Sequence, residues 1–138
     1  MANIIQKRTK SLLLLTALSG ALAVVIGAFG AHTLVDKIAP SSLTSYKTGV
    51  SYQFYHSLAS MISLLLLVHF KSVQFRWASI CFLIGILFFS GSIYLLTTNS
   101  ITGIGLRGIL GPMTPIGGLF FIVGWVLILF GVIKVKSE

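Results

Sequence analysis

Three features of the sequence predict an all-α fold, an integral membrane four-helix bundle with both termini in the cytoplasm. First, 56% of the 138 residues are hydrophobic and 9% charged, at a mean hydropathy of +1.01. So few charges cannot solvate a soluble surface of this size. Second, the intervals 11–35, 48–70, 77–106 and 108–133 are free of Asp, Glu, Lys and Arg and run 25, 23, 30 and 26 residues. Each exceeds the about 20 residues that cross a bilayer as helix. Third, four spans put Lys7, Arg8, Lys10, Lys71, Arg76, Lys134 and Lys136 on one side and only Lys37, Lys47 and Arg107 on the other. The positive-inside bias then places both termini in the cytoplasm, with the chain expected in the cell (inner) membrane. With about 80 residues in hydrocarbon, the loops are too short for a soluble catalytic domain, and the chain reads as one transmembrane domain.

Span one is expected at 12–31. Lys7 to Lys10, the run Leu12 to Leu18 and Ala21-Leu22-Ala23 resemble a cleavable secretory signal, but the apolar run continues to Ala31, which favours an uncleaved first helix. In the connection to span two, Pro40 ends one segment and Ser41 or Ser42 can cap another, predicting a separate amphipathic piece near Leu43 to Lys47 at the outer interface. Span two is expected at 52–70 and span three at 77–97, joined by a hairpin over 71–76. The connection 99–114 carries Gly103, Gly105, Gly108, Gly111 and Pro112 and is expected to be irregular; span four follows at 115–135.

Gly103-Ile104-Gly105-Leu106-Arg107-Gly108 spells G-x-G-x-x-G, but a dinucleotide site needs a strand before it, a helix after it and an acidic residue about 20 positions on. Here the match joins two membrane helices, and the next acid is Glu138. The net charge of +8 flanks apolar runs instead of forming a patch with interleaved aromatics, so nucleic acid is not an expected partner. Cys81 has no second cysteine to pair with and reads as a small apolar residue.

Helix faces say more than motifs. In lipid, close backbone approach replaces the hydrophobic effect between helices, so small residues mark seams. Ser19, Ala23, Gly27 and Ala31 repeat every four residues on span one; Gly117, Gly124 and Gly131 repeat every seven on span four, a seam expected to be internal. Tyr52, His56, Ala59, Ser60 and Ser63 on span two, and Ser90, Tyr94 and Thr97 on span three, are too polar to meet lipid tails and are expected to face inward. Trp77 reads as an interface anchor and Trp125 as a core aromatic.

Gly27-Ala28-Phe29-Gly30-Ala31-His32, Thr48-Gly49-Val50-Ser51-Tyr52-Gln53-Phe54-Tyr55-His56, Phe89-Ser90-Gly91-Ser92-Ile93-Tyr94, Thr114-Pro115-Ile116-Gly117-Gly118 and Gly124-Trp125 follow one another along the chain. In order and spacing they resemble the bacterial domain-of-unknown-function 423 family, also called the transmembrane protein 256 family, over roughly residues 19–132. The resemblance implies a small four-helix multi-pass membrane protein and carries over no catalytic residue.

Transport of protons or ions calls for an ionisable group at mid-membrane, whereas Asp36 and Glu138 lie outside the spans. His32 and His56 suit a haem between helices in residue type, but His69 lies 13 residues past His56, roughly 20 Å along a helix, so no second pair forms. His32, Asp36 and Ser41, Ser42 or Ser45 contain the residue types of a hydrolase with no nucleophile-elbow pattern to gather them. The expected role is therefore non-catalytic: a binding, assembly or accessory protein meeting membrane lipids or other membrane proteins, with a small-molecule or lipid transporter as the alternative. No cofactor and no metal are expected, and the oligomeric state is open. The expected site gathers His32, Tyr52, Gln53, His56, Tyr94, Asn99 and Arg107 at the outer interface. Its ordinary reading is a structural cap in which these groups satisfy one another; its functional reading is a cavity for an anionic or polar ligand such as a lipid headgroup.

Overall fold

The computed structural model describes residues 2–103, 105 and 107–135, and the side chains of 7, 9–103, 105 and 108–135. Within them the chain forms α1 (Ala2–Phe29) running into a π-helical turn (Gly30–Leu34), α2 (Pro40–Phe70), α3 (Val73–Thr97), the single turn α4 (Asn99–Thr102) and α5 (Arg107–Ile133). Four segments, Thr9–Leu34, Pro40–Phe70, Val73–Thr97 and Gly108–Ile133, are long and apolar enough to span a membrane. In hydrocarbon a helix satisfies every interior backbone group by itself, which is why such runs adopt no other form. Their outward faces carry Leu14, Val25, Leu65, Leu87, Ile122 and Leu129, all more than half exposed, a surface suited to lipid tails.

Several boundaries differ from the sequence expectation: α1 begins at Ala2 and α3 at Val73, ahead of the expected 12 and 77, and two connections are rebuilt as helix. Residues 43–47 are not a separate interfacial piece: Pro40 opens α2 at its first position, where its fixed φ and missing N–H cost nothing, and the helix runs 31 residues without a break. That is about 46 Å, against about 30 Å of hydrocarbon, so its first turns overhang the others. The connection after α3 is likewise mostly helical. Gly103 ends α4 in the left-handed region at φ 64°, and α5 starts at Arg107, eight residues before the expected start of span four. Pro112 and Pro115 sit inside α5. The carbonyls they leave without a helical donor belong to Gly108 and Gly111, both exposed at the end of the bundle where water can serve them.

Between α2 and α3 only Lys71 and Ser72 are non-helical. Lys71 takes a left-handed conformation (φ 55°) and donates its N–H to the Leu67 carbonyl at 2.9 Å. A lysine there bears a backbone strain that glycine lacks. Lys71→Gly is expected to raise stability by about 0.5–1 kcal/mol, read as a higher midpoint of thermal unfolding in neutral detergent.

α3 is the centre of the bundle, packed against α2 on one side and α5 on the other, while α1 leans on α2. Glycine on α5 meets phenylalanine on α3 in antiparallel register. Gly117 lies against Phe89, Gly124 against Phe82 and Gly131 against Phe75, each pair seven residues from the next on both helices. Gly85 of α3 returns the arrangement by receiving Phe121. The glycine seam of span four is thus an internal contact. On α1, Ser19, Ala23 and Gly27 face α2, with Ala23 buried and a Cβ at Gly27 3.1 Å from Val50. Ala31 departs from its expected place: it is exposed, and Gly30 closes the seam against the Tyr46 ring. Every fourth residue drifts about 40° around an α-helix, so three such steps carry Ala31 about 120° away from Ser19.

Candidate functional site

The expected site residues share neither a membrane level nor a direction, and they do not all lie at the outer interface: Gln53 meets Ser19, 13 residues before His32, and His56 lies beside Phe82, 17 residues before Asn99. His56 is buried and points into the junction of α2, α3 and α5. Its Nδ1 lies 2.8 Å from the Tyr52 carbonyl, and Trp125 Nε1–H points to its Nε2 at 3.4 Å. An indole N–H only donates and a carbonyl only accepts, so the pair of contacts selects the neutral imidazole with its proton on Nδ1. The ring stacks on Phe121 at 3.6 Å and 8°, with Phe82 at 5.5 Å. Tyr52 is 40% exposed and stacks on Phe89. Trp125, expected in the core, is 52% exposed and reaches inward through its N–H and an edge contact with the Phe82 ring at 5.4 Å.

Gln53 looks the other way, into the junction of α1, α2 and α3. Its Nε2 donates to the Ser19 carbonyl at 2.9 Å, and its Oε1 accepts from Tyr94 Oη at 2.7 Å, so one amide ties three helices. Ser57 continues the line by donating to Ser19 Oγ at 2.8 Å. Deeper, Thr16, Ser60 and Ser79 form a buried chain of hydroxyls at 2.9 and 2.7 Å, again one from each of the three helices. The polar face expected on α2 therefore divides: Gln53, Ser57 and Ser60 serve α1 and α3, while His56 serves α5. Thr16 and Ser79 were absent from the sequence reading, because a single hydroxyl in an apolar run carries no periodic signal.

The remaining members do not join either group. His32 is exposed on the π-helical turn ending α1, while His56 faces α3 and α5. The two histidines thus offer no common axial pair for a haem. Asn99 has a buried Oδ1 with no hydrogen-bond partner, and the Arg107 side chain lies outside the described residues. Among the described residues no three of His, Cys, Asp and Glu come together as a metal site.

What the structure does gather at this end is hydroxyls. Ser41, Ser42, Ser45 and Thr48 from the overhanging start of α2, Thr97 from the end of α3 and Thr114 from α5 line an open groove of about 480 Å³ with Ile93 and Leu96. Ser41, Ser45 and Thr48 follow the i, i+4, i+7 spacing of one helix face, a signal present in the sequence once α2 is known to begin at Pro40. Ser45, Thr48 and Thr97 donate to carbonyls one turn back in their own helices, and Thr114 shares a hydrogen bond of 2.6 Å with Ser92. A hydroxyl whose proton is so engaged keeps lone pairs for a ligand that donates.

Comparison with known proteins agrees with the four spans. A family model described as protein of unknown function (DUF423) matches residues 26–118. The chain is 36% identical over 126 residues to a UPF0382 membrane protein of Staphylococcus saprophyticus, covering 91% of this chain and 99% of that one. It is 38% identical over 125 residues to a UPF0382 membrane protein of Staphylococcus aureus, with 91% and 97% covered. To the UPF0382 inner membrane protein YgdD of Escherichia coli it is 33% identical over 130 residues, with 94% and 95% covered. No solved structure matches the chain.

Proposed function

The chain belongs to the DUF423 family of small multi-pass membrane proteins, and from that premise we propose that it works without catalysis, by holding a donor-bearing lipid headgroup in the hydroxyl-lined groove. The observation that carries this reading is the groove itself: six hydroxyls from three helices beside two apolar side chains, at the end where α2 overhangs. Its volume suits a glycerol or sugar headgroup. Donor groups on such a headgroup meet the free lone pairs, and its acyl chains leave toward the exposed apolar faces. A serine or threonine becomes a nucleophile beside a base, and among the described residues the lining brings neither imidazole nor carboxylate to these hydroxyls. The charge bias in the sequence puts the groove on the outer side.

The test is a mass-spectrometric census of lipids retained by the purified protein, compared with Ser45→Ala and Thr48→Val. Both positions are exposed, so stability should change by no more than about 0.5 kcal/mol. The retained donor-bearing lipid should fall several-fold in the double variant. Equal retention by the variant, or a bound population no different from the bulk lipid, would show that the groove is only a gap between helix ends.

A further inference from the structure

The opposite end of the bundle carries a different chemistry. Leu12 and Leu13 of α1 pack on the cluster of Leu64, Leu67 and Phe75, and Phe75 in turn meets Gly131 of α5. These contacts bring Lys7 and Lys10, Lys71, Arg76 and Lys134 to one end, each from a different helix or helix boundary except the first two. The one described carboxylate, Asp36, lies between the π-helical turn and α2, at the other end. Exposed lysines there are what topology alone requires. The burial of Arg76 is not explained by topology: it is only half-buried, yet its Nε is shut off from solvent with no hydrogen-bond partner among the described residues.

A guanidinium cannot shed its charge, and a shielded N–H without an acceptor is costly; no described residue supplies that acceptor, so a small shift of the side chain that opens its fork to an outside acceptor is favoured. We propose that Arg76, supported by Lys71 and Lys134, binds the phosphate of an anionic phospholipid at this end of the bundle. The planar fork of arginine matches two phosphate oxygens, and the surrounding lysines add attraction without fixed geometry. The lipid is preferred to a free phosphate because exposed apolar side chains flank Arg76 on α3. Val73, three residues before Arg76, is 53% exposed, and Trp77 beside it is 55% exposed at the depth where indoles anchor. This site is independent of the hydroxyl groove and draws on the opposite ligand chemistry, acceptors in place of donors.

The protein in neutral detergent, titrated with phosphatidylglycerol or phosphatidylcholine of identical chains and read by native mass spectrometry, tests the proposal. Phosphatidylglycerol should bind about tenfold tighter, and Arg76→Gln should remove about five- to tenfold of that preference. Arg76→Lys should restore part of it, while Lys47→Gln at the far end should leave it unchanged. Should Arg76→Gln fail to fold, Lys71→Gln with Lys134→Gln must lower the same preference. Equal binding of the two lipids, or wild-type preference in the Arg76→Gln variant, overturns the site. Displacement by millimolar inorganic phosphate but not by chloride at equal ionic strength overturns the lipid and makes the ligand a soluble anion.

Discussion

Gly117→Ala is expected to destabilise the bundle by about 3 kcal/mol, at the top of the range for overpacking a single site. A Cβ at Gly117 would overlap the backbone nitrogen of Phe89 and stand 2.8 Å from its Cα. Side-chain rings can rotate away from an intruding methyl, but the backbone of α3 cannot yield without moving the whole helix. That movement would loosen Phe82 on Gly124 and Phe75 on Gly131, which share its register. Gly118→Ala is the control, since its Cβ would find nothing nearer than the Phe89 ring edge at 4.0 Å. There the better helix propensity of alanine should leave stability equal or slightly raised. The measurement is the unfolding midpoint in mixed micelles; equal values for the two variants would place Gly117 away from a tight contact.

Which residues lie in the membrane was legible in the sequence; their depth along a helix and their direction around it were not. A charge-free interval fixes which residues lie in the membrane, so the four spans and the small-residue seams follow from counting. The heptad Gly117, Gly124 and Gly131 identified its own face, because a glycine row has no use against lipid. Its partner row, Phe75, Phe82 and Phe89, has the same spacing but stands in a span crowded with other large apolar residues, where periodicity alone does not select it. Prolines misled for a related reason. Pro40 marked a boundary correctly but began the long helix instead of a short piece, and Pro112 and Pro115 were absorbed by α5 because the carbonyls they free lie at a wet end.

The candidate site failed on depth along the helices and on the angle around them. Gln53 and His56 are three residues apart, about 300° around α2 and hence about 60° between directions. That difference is enough to send the amide to α1 and α3 and the imidazole to α5. His32 lies 13 residues past Ser19, about 20 Å beyond the level of Gln53. An expected common level made seven residues look like one cluster. The structure uses two of them, Gln53 and Tyr94, as a joint and leaves the groove to serines and threonines whose pattern depended on the start of α2.

Phe82→Ala is the second large effect, expected to cost about 3 kcal/mol, the lower end of the range for removing a buried phenylalanine. The ring is fully buried and belongs to the cluster with Ala59, Ala78, Ile86 and Phe121. It fills the hollow over Gly124 and flanks the ring of His56 at 5.5 Å. In a soluble protein its removal would forfeit both transfer from water and packing. Here the unfolded helices remain in an apolar solvent, so the transfer part largely cancels and the lost packing remains. Gly124 magnifies that loss, because the hollow opposite has no side chain to collapse into the space. Phe130→Ala gives the contrast: Phe130 is on the same α5 that packs against Phe82 but 52% exposed, and its loss should change stability by less than about 1 kcal/mol. The ratio of the two effects, read from unfolding in mixed micelles, reports which face of α5 meets α3. Equal effects would place Phe82 outside the packed centre and remove the phenylalanine-on-glycine register as the source of bundle stability.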